Sequence, residues 1–240
     1  MKRIAIKFAV TLVAFLLVGI ATDIYTDIFG NPLSKQKSEK NIISYLIDTY
    51  ETNNFSVSDV VYDRESKEYG TIVEFLDSED TVFYVAYSPK DNKIRDTFND
   101  TVKNGYNTFI RLNAEYGRIV SNALAEFYTD KTVMYYGELG KNQSSLNLGS
   151  ILSLDMPFDM YNLPMEATVS VFLDREDTSS EQFAEELISL QKYMYSKEIA
   201  VDYYDIMYNG TVLLEDFPSE VVLENLEDAD ALSDIINEFI

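Results

Sequence analysis

The stretch ATVSVFL, residues 167–173, decides how the C-terminal half of this chain folds. Apolar residues at positions 167, 169, 171 and 173 alternate with Thr168, Ser170 and Phe172. A period of two is typical of a β-strand whose two faces lie in different surroundings. We therefore expect a strand here, with the C-terminal elements of the chain arranged around it.

The segments that follow this strand predict helix, strand, strand and helix. Thr178 and Glu181 form a candidate capping box for a helix whose apolar positions 183, 187, 190 and 194 face inward. Residues 199–208 are apolar or aromatic on both faces, which predicts a central strand. Asn209-Gly210 predicts a tight hairpin turn. The last helix should bury Leu232, Ile235, Ile236 and Phe239.

The segments that precede this strand predict a second set of elements. An amphipathic helix is expected over residues 34–53, followed by three strand candidates between residues 55 and 87. A single long helix should run from Asp100 to Tyr128, with Asn113 in a gap of its apolar stripe. Asn113 would either set the register of a partner helix or lie at the wet edge of the stripe. Residues 131–139 predict a strand, and the Gly-, Asn- and Ser-rich residues 137–150 a linker.

The N-terminus has the layout of a secretory signal or a signal anchor, because three cations precede an apolar run. The 18 residues Ile4–Ala21 would make about 27 Å of helix, close to the roughly 30 Å of a hydrocarbon core. Positive residues stay in the cytoplasm, so the rest of the chain should lie outside. Cleavage after Gly19-Ile20-Ala21 and an ordinary buried helix are the alternatives. The expected anchor residues are Lys2, Arg3, Lys7, Phe8, Leu12, Phe15, Leu16 and Ile20.

These elements predict an α+β chain with an N-terminal transmembrane helix and two small α+β domains, each a mainly antiparallel sheet with packed helices. The expected boundaries are 1–30 for the anchor, 31–140 for the N-terminal domain and 141–240 for the acidic C-terminal domain. The chain should cross the cell membrane once, with its N-terminus cytoplasmic and both domains extracytoplasmic. Secretion after cleavage is the alternative.

The composition excludes several chemistries. The chain has 240 residues, 46% of them hydrophobic, so it can build a core. It contains no Cys, His or Trp. Disulfides, thiol catalysis and His-based triads are therefore excluded, and no cofactor is expected. Carboxylates, Lys, Ser and Tyr remain for any chemistry.

The negative charge is concentrated at the C-terminal end. Residues 31–150 carry 13 Lys+Arg and 18 Asp+Glu, whereas residues 151–240 carry 3 Lys+Arg and 21 Asp+Glu. Such a field repels nucleic acid and attracts cations or basic peptides. A solvated acidic surface that keeps the protein soluble is the alternative interpretation.

Two acidic clusters are candidate cation sites. Asp174-Arg175-Glu176-Asp177 resembles half of an EF-hand loop, but its sixth position is Ser179, where a Gly is needed. Asp228, Asp230 and Asp234 could chelate a hard cation, or one of them could cap the final helix. In both places, acids at a helix N-terminus are the structural alternative.

Tyrosines form the candidate binding face. Tyr203, Tyr204 and Tyr208 lie on the expected central strand, and tyrosine is common on recognition surfaces. Packing on a sheet is the alternative, because strands favour Tyr in any case. Ser34 and Lys37 match a Ser-x-x-Lys pattern, but the Ser-Asp-Asn and Lys-Thr-Gly elements that accompany it in penicillin-binding enzymes are missing.

The run Gly30-Asn31-Pro32-Leu33-Ser34-Lys35, the helix after it, and the strands around Phe75 and Val82–Tyr87 resemble the YfjL-like proteins of Gram-positive bacteria. The resemblance covers most of the chain and includes the layout of a membrane segment and two α+β domains. It implies placement and architecture, and it supplies no catalytic residues.

We expect a membrane-tethered extracytoplasmic binding or regulatory module that is not an enzyme. A carboxylate-based or divalent-cation-dependent hydrolase and a calcium-responsive acidic surface protein are the alternatives. The expected partners are the membrane, through the N-terminal helix, and a cationic peptide, a protein or calcium. The sequence does not indicate an oligomeric state.

Overall fold

The structure, a computed structural model, describes residues 18–20, 22, 25–129, 132–141, 147–173, 179–208 and 211–239. Its contacts divide the chain into two compact units, Met1–Asn104 and Gly105–Ile240. Each unit contains one sheet with packed helices, which confirms the predicted α+β class.

The N-terminal unit is built on an antiparallel sheet of five short strands. β3 lies inside the sheet, and both β1 and β2 pair with its outer side, at opposite ends. The strands are β1 (Phe55–Val57), β2 (Val61–Asp63), β3 (Glu68–Phe75), β4 (Val82–Ser88) and β5 (Lys93–Asp96).

Helix α1 (Pro32–Tyr50) covers this sheet. It begins where the side chain of Asn31 accepts from the amides of Leu33 (2.9 Å) and Ser34 (3.4 Å), and Pro32 follows as its first residue. Its inward side chains join buried residues of β3, β4 and a π-helix (Asn99–Lys103) in one core. That core consists of Ile42, Leu46, Val73, Phe83, Val85, Tyr87 and Val102.

The carboxylate of Asp96, at the end of β5, ties α1 to the edge of this sheet. Its Oδ2 accepts hydrogen bonds from the hydroxyls of Tyr45 and Tyr50, the latter at 2.9 Å, and its Oδ1 accepts from the Phe98 amide at 3.1 Å. The Tyr50 ring lies 4.8 Å from the ring of Phe98 and 5.6 Å from that of Phe75. Burial raises the pKa of both tyrosine hydroxyls, and the Asp96 carboxylate raises it further.

The junction before α1 (residues 25–31) is fixed to the β2–β3 hairpin. Residues 25–29 are helical, and Gly30 ends the turn with a φ of 77°. A Cβ on Gly30 would lie 2.7 Å from the Tyr62 ring, so only glycine fits. The Asn31 amide donates to the Tyr69 hydroxyl at 2.6 Å, and Asp27 pairs with Lys67 at 2.5 Å.

The expected anchor lies mostly outside the described residues, as do Lys2, Arg3, Lys7, Phe8, Leu12, Phe15 and Leu16. Ile20 is described, is helical and is 50% exposed. No helix within the described part of the chain has both the length and the apolar character needed to cross a bilayer.

The expected long helix over residues 100–128 is interrupted. The π-helix ends at Lys103, Gly105 adopts a φ of 79°, and α2 (Tyr106–Phe127) begins after it. A left-handed residue cannot continue a right-handed helix. The boundary between the two units falls at this glycine.

The C-terminal unit has a mixed four-stranded sheet in the order β6-β7-β8-β9. β7 and β8 are parallel, and the helix between them is their crossover, whereas the two outer pairs are antiparallel. The elements after α2 are β6 (Met134–Leu139), α3 (Leu148–Ile151), β7 (Ala167–Leu173), α4 (Ser180–Ser196), β8 (Tyr203–Tyr208), β9 (Thr211–Pro218), α5 (Ser219–Glu224) and α6 (Ala229–Phe239).

The boundary differs from the one expected at residue 140, because α2 and β6 are part of the C-terminal unit. β6 pairs with β7 along its whole length, from Met134 opposite Phe172 to Leu139 opposite Ala167. α2 lies close against β6, where the Gly137 carbonyl oxygen would be 2.9 Å from a Cβ on Gly117. The Asn113 side chain is partly exposed and accepts from the Leu139 amide at 2.7 Å, so it lies at the edge of the stripe against a strand and does not set the register of a partner helix.

The helices of this unit place their buried side chains in a single core on one face of the sheet. Leu187, Leu190 and Met194 of α4 lie in it, as the sequence predicts. The capping box of α4 is Ser179 with Gln182, one residue later than expected, and Thr178 lies outside the described residues. In α6, Leu232 and Ile236 are fully buried, whereas Phe239 is 50% exposed and packs on Phe217.

Candidate ligand-binding site

The second face of the C-terminal sheet carries a different set of side chains, and we call it the open face. Residues on β6, β7 and β8 that alternate with the core positions form it, so its composition follows from the pleat. It consists of Met134, Tyr136, Glu138, Thr168, Ser170, Phe172, Tyr203, Asp205 and Met207. None of these side chains belongs to the hydrophobic core.

Asp205 is the centre of a polar network on the open face. It is only 8% exposed. Its Oδ2 accepts from Lys141 Nζ at 2.6 Å and from the Ser170 hydroxyl at 3.1 Å. Its Oδ1 accepts from the Asp216 amide at 2.9 Å. An ammonium, a hydroxyl and an amide together compensate for the burial of this carboxylate.

An irregularity in the β8–β9 ladder positions the Asp216 amide. The register shifts between Tyr204 and Ile206, and Asp216 adopts a φ of 52°. Aspartate tolerates this left-handed region better than most residues. A bulge of this kind redirects a strand locally, and here it turns the main chain of β9 toward the Asp205 carboxylate.

Lys141 is the cation of the network. Its Nζ also lies 3.3 Å from Asp216 Oδ1 and 3.9 Å from Glu215 Oε1. Burial alone would lower the pKa of this ammonium, but the hydrogen bonds and charges of Asp205 and Asp216 raise it above the usual value. Lys141 is therefore positively charged at neutral pH.

The pKa of Glu138 is also raised, which for a carboxyl group favours the neutral form. Burial is the main cause of this rise, the Lys141 charge lowers the pKa, and the charges of Asp205 and Asp216 raise it. Burial beside the Asp205 network thus disfavours a negative charge on Glu138.

A cavity of about 210 Å³ opens beside this network. Its apolar lining includes Tyr136 and Phe172, whose rings stack with centroids 5.7 Å apart. Pockets for drug-sized ligands are usually about 300–1,000 Å³, so this cavity suits a group the size of one side chain. The lining residues are Tyr136, Lys141, Ser170, Phe172, Asp205, Met207 and Glu215.

The chemistry that this arrangement supports is recognition of charge. A lysine held protonated by carboxylates cannot act as a general base. The Ser170 hydroxyl donates to a carboxylate and is not paired with a strong base. An acidic cavity with aromatic and thioether walls instead suits an ammonium or guanidinium group on an apolar body.

A larger and shallower groove of about 520 Å³ lies elsewhere on this unit. Tyr161 and Tyr195 line it and are 77% and 76% exposed. Its main polar contact is the hydrogen bond from the Tyr161 hydroxyl to Glu198 at 2.6 Å. This groove has a large surface, but its lining residues do not bring several buried charges together at one point.

The structure separates the tyrosines of the expected binding face. Tyr204 is fully buried, and its hydroxyl donates to Gln191 at 2.7 Å, so it belongs to the core. Tyr203 lies on the open face and is partly exposed. The Tyr208 side chain lies outside the described part. Adjacent strand residues point to opposite faces, so Tyr203 and Tyr204 cannot share one.

The acidic cluster at the start of α6 has a structural role. Asp228 accepts from the Ala231 amide at 2.9 Å and so caps the helix. Among the described residues, no group of three or more carboxylates lies close enough together to hold a metal ion, and this includes Asp230 and Asp234. Residues 174–177 lie outside the described part of the chain. Ser34 and Lys37 lie on α1, where Lys37 is exposed.

Sequence reasoning did not find Lys141, Ser170 or Asp205 as site residues. One signal was present: Asp205 is a charged residue inside a stretch that is otherwise apolar or aromatic. A charge in a central strand needs a partner, and Lys141 is the last cation before the strongly acidic segment begins.

Comparison with protein families matches both units. A family description for a YfjL-like C-terminal domain matches residues 115–239, and one for a YfjL-like N-terminal domain matches residues 5–97. The chain belongs to the YfjL-like family. No curated protein and no solved structure matches it.

The two YfjL-like domains agree with the two units of the structure. The residues between the matches, 98–114, contain the division at Gly105. Every residue of the Asp205 network lies within the YfjL-like C-terminal domain. The YfjL-like N-terminal domain includes the junction, Asp96 and most of the N-terminal apolar run.

Proposed function

We propose that this YfjL-like chain is a membrane-tethered extracytoplasmic binding module without catalytic activity. Its site is the cavity beside Asp205, and its ligand is an organic cation, such as a basic side chain of a peptide or protein. The tether and its direction rest on the cations and the apolar run at the N-terminus.

The observation that carries this proposal is the position of the Lys141 ammonium. Three carboxylates surround it at the rim of a cavity that has aromatic walls. The site thus already binds an ammonium group from its own chain, and an ammonium or guanidinium from a partner would meet the same chemistry. The excess of 21 Asp+Glu over 3 Lys+Arg in residues 151–240 steers cations toward it.

A titration with a trilysine peptide tests this proposal. Binding should shift the methyl resonance of Met207, which lines the cavity, in the full chain labelled at methionine. Glu215→Gln should weaken binding several-fold, because it removes an exposed charge at the rim. Glu227→Gln is the matched control, since Glu227 is exposed and pairs with Lys192 instead. An unchanged Met207 resonance, or equal weakening by both variants, would contradict the proposal.

A carboxylate-based hydrolase is the second candidate, and one observation favours it. Asp205 and Glu215 line the same cavity, and the pKa of nearby Glu138 is raised, as in a general acid. Against it, both oxygens of Asp205 are occupied by donors. Turnover of a glycoside or ester that is lost in Glu138→Gln but kept in Glu185→Gln, an exposed control, would favour this candidate over the binding module.

A further inference from the structure

Exposed apolar side chains are concentrated at the start of the N-terminal unit. Six of the 19 exposed large apolar side chains in the described residues lie between residues 18 and 33. Leu33 is 77% exposed and Phe29 is 66% exposed. A concentration of this kind marks a surface that is covered by something else. The six are Val18, Ile20, Tyr25, Ile28, Phe29 and Leu33.

The last four of these side chains, at residues 25–33, lie beside contacts that join this part of the chain to the sheet. Gly30 has no room for a side chain, and Asn31 is bonded to the Tyr69 hydroxyl. Asp27, one of the two acids in residues 18–33, pairs with Lys67 and with Arg64 at 3.4 Å. The apolar side chains around Asp27 therefore keep their direction relative to the sheet of the N-terminal unit.

The outward stripe of α1 continues this surface with lysines. Leu33, Lys37 and Lys40 follow each other at helical spacing and are all exposed, on the side opposite buried Ile42. Residues 32–47 contain three lysines and one acid, Glu39. Long lysine stems lie along apolar surfaces while their ammonium groups reach water or anionic headgroups.

We propose that Tyr25, Phe29 and Leu33 contact the bilayer interface, so that the N-terminal unit rests on the membrane. This inference rests on the proposed tether. The occupant follows from chain distance, because Tyr25 is four residues after the end of the apolar run at Ala21, at most about 14 Å even when extended. Amphipathic surfaces with aromatic and Leu side chains beside Lys bind at this level of a membrane.

Single-cysteine spin labels test this contact, since the native chain contains no Cys. Leu12→Cys, Phe29→Cys, Leu33→Cys and Leu76→Cys are each labelled in the full chain, reconstituted in nanodiscs that contain anionic lipid. Leu76 is the control because it is 66% exposed but follows the far end of β3. The ratio of accessibility to oxygen over accessibility to a water-soluble nickel chelate is measured at each site.

We expect this ratio to be several-fold higher at residues 29 and 33 than at residue 76. If the label at residue 12 lies in lipid but residue 33 is as accessible to the chelate as residue 76, the contact is overturned and the tether is kept. A label at residue 12 outside lipid would overturn the tether itself. Spin–spin broadening at residue 33 without oxygen access would show that a second copy covers the surface, and it would also overturn the contact.

A double variant provides an independent measurement. With a label at Lys37→Cys, the changes Phe29→Ser and Leu33→Ser together should raise the chelate accessibility several-fold, because the apolar contact is lost. Leu76→Ser in the same background should leave it unchanged. Equal accessibility in both backgrounds would overturn the proposal.

Discussion

Asp96 in the N-terminal unit and Asp205 in the C-terminal unit each accept hydrogen bonds from three donors, but the donors differ in kind. Those of Asp96 are two tyrosine hydroxyls and an amide, all neutral. Those of Asp205 are an ammonium, a hydroxyl and an amide. Asp96 is held by groups that form part of an aromatic cluster, whereas the ammonium at Asp205 is carried on a flexible stem beside a cavity.

Because of this difference, we interpret the contacts of Asp96 as structural and the contact between Lys141 and Asp205 as one that a ligand could replace. Removing Tyr50 from Asp96 would also separate its ring from Phe75, Phe83 and Phe98. Moving Lys141 would break its ion pairs with Asp205 and Asp216 but no aromatic contact, and in the proposed function an incoming cation replaces it. A buried carboxylate therefore indicates a binding site only when its charged partner can leave without disrupting the core.

The largest effect is expected from Lys141→Met. The C-terminal unit should lose about 2–3 kcal/mol of stability, because the buried Asp205 charge would lack its cation and stay close to Asp216. Hydrogen–deuterium exchange of peptides from β8 and β9 measures this loss separately from the N-terminal unit. Lys192→Met, at an exposed ion pair, should cost less than about 0.5 kcal/mol. Equal costs for the two variants would contradict the central role of Lys141.

An intermediate effect is expected from Tyr50→Phe. It removes one neutral donor and keeps the ring, so the N-terminal unit should lose about 1 kcal/mol. Because the pKa of Tyr50 is raised in the folded state, its hydroxyl stabilises the unit fully at a pH below its ordinary pKa of 10.0. This stabilisation declines as the pH rises above that value. Exchange in α1 and β5 peptides at pH 8 and pH 11 checks both points. A cost that is unchanged at pH 11 would disprove the role of the hydroxyl.

The smallest effect is expected from Glu138→Gln, and its sign is the test. Because the folded pKa of Glu138 is raised, its favourable contribution is complete below its ordinary pKa of 4.5 and is lost as the pH rises. The variant should therefore be more stable than the native chain at pH 7, by less than about 1 kcal/mol, and equal to it at pH 4.

Glu126→Gln is the control of opposite sign. The Lys197 ammonium lowers the pKa of Glu126, so its contribution is present at pH 7 and lost as the pH falls. That variant should lose more stability at pH 7 than at pH 4. If both variants change stability in the same direction at pH 7, the raised pKa of Glu138 is not the cause.

The predictions that succeeded came from patterns within single elements. In residues 167–173 and in α4, the apolar residues recur with the period of a strand or a helix, so the sequence alone shows which face is buried. The positions of the strands, the buried faces of the helices and the α+β architecture could therefore be predicted. The resemblance at Gly30–Lys35 pointed to the family that the chain belongs to.

The candidate site could not be predicted because it depends on pairing between distant residues. Lys141 and Asp205 are 64 positions apart, and only the β6-β7-β8 order brings them together. The bulge at Asp216 shifts the register without a Gly to signal it. The boundary at Gly105 was missed because the apolar stripes on its two sides continue in phase.

In the second sheet the strands follow one another in space in the order in which they occur in the chain. Each strand, once synthesised, finds its only earlier neighbour already available. The connections are long before β7 (residues 140–166) and before β8 (residues 174–202), and short only before β9 (residues 209–210). Pairings of short sequence separation form faster than those that join distant parts of a chain, so β9 pairs rapidly once β8 is in place. The C-terminal unit can thus assemble from its N-terminal side while its last helices are still being synthesised. The polar network of Asp205 is complete only when β9 adds the Asp216 amide.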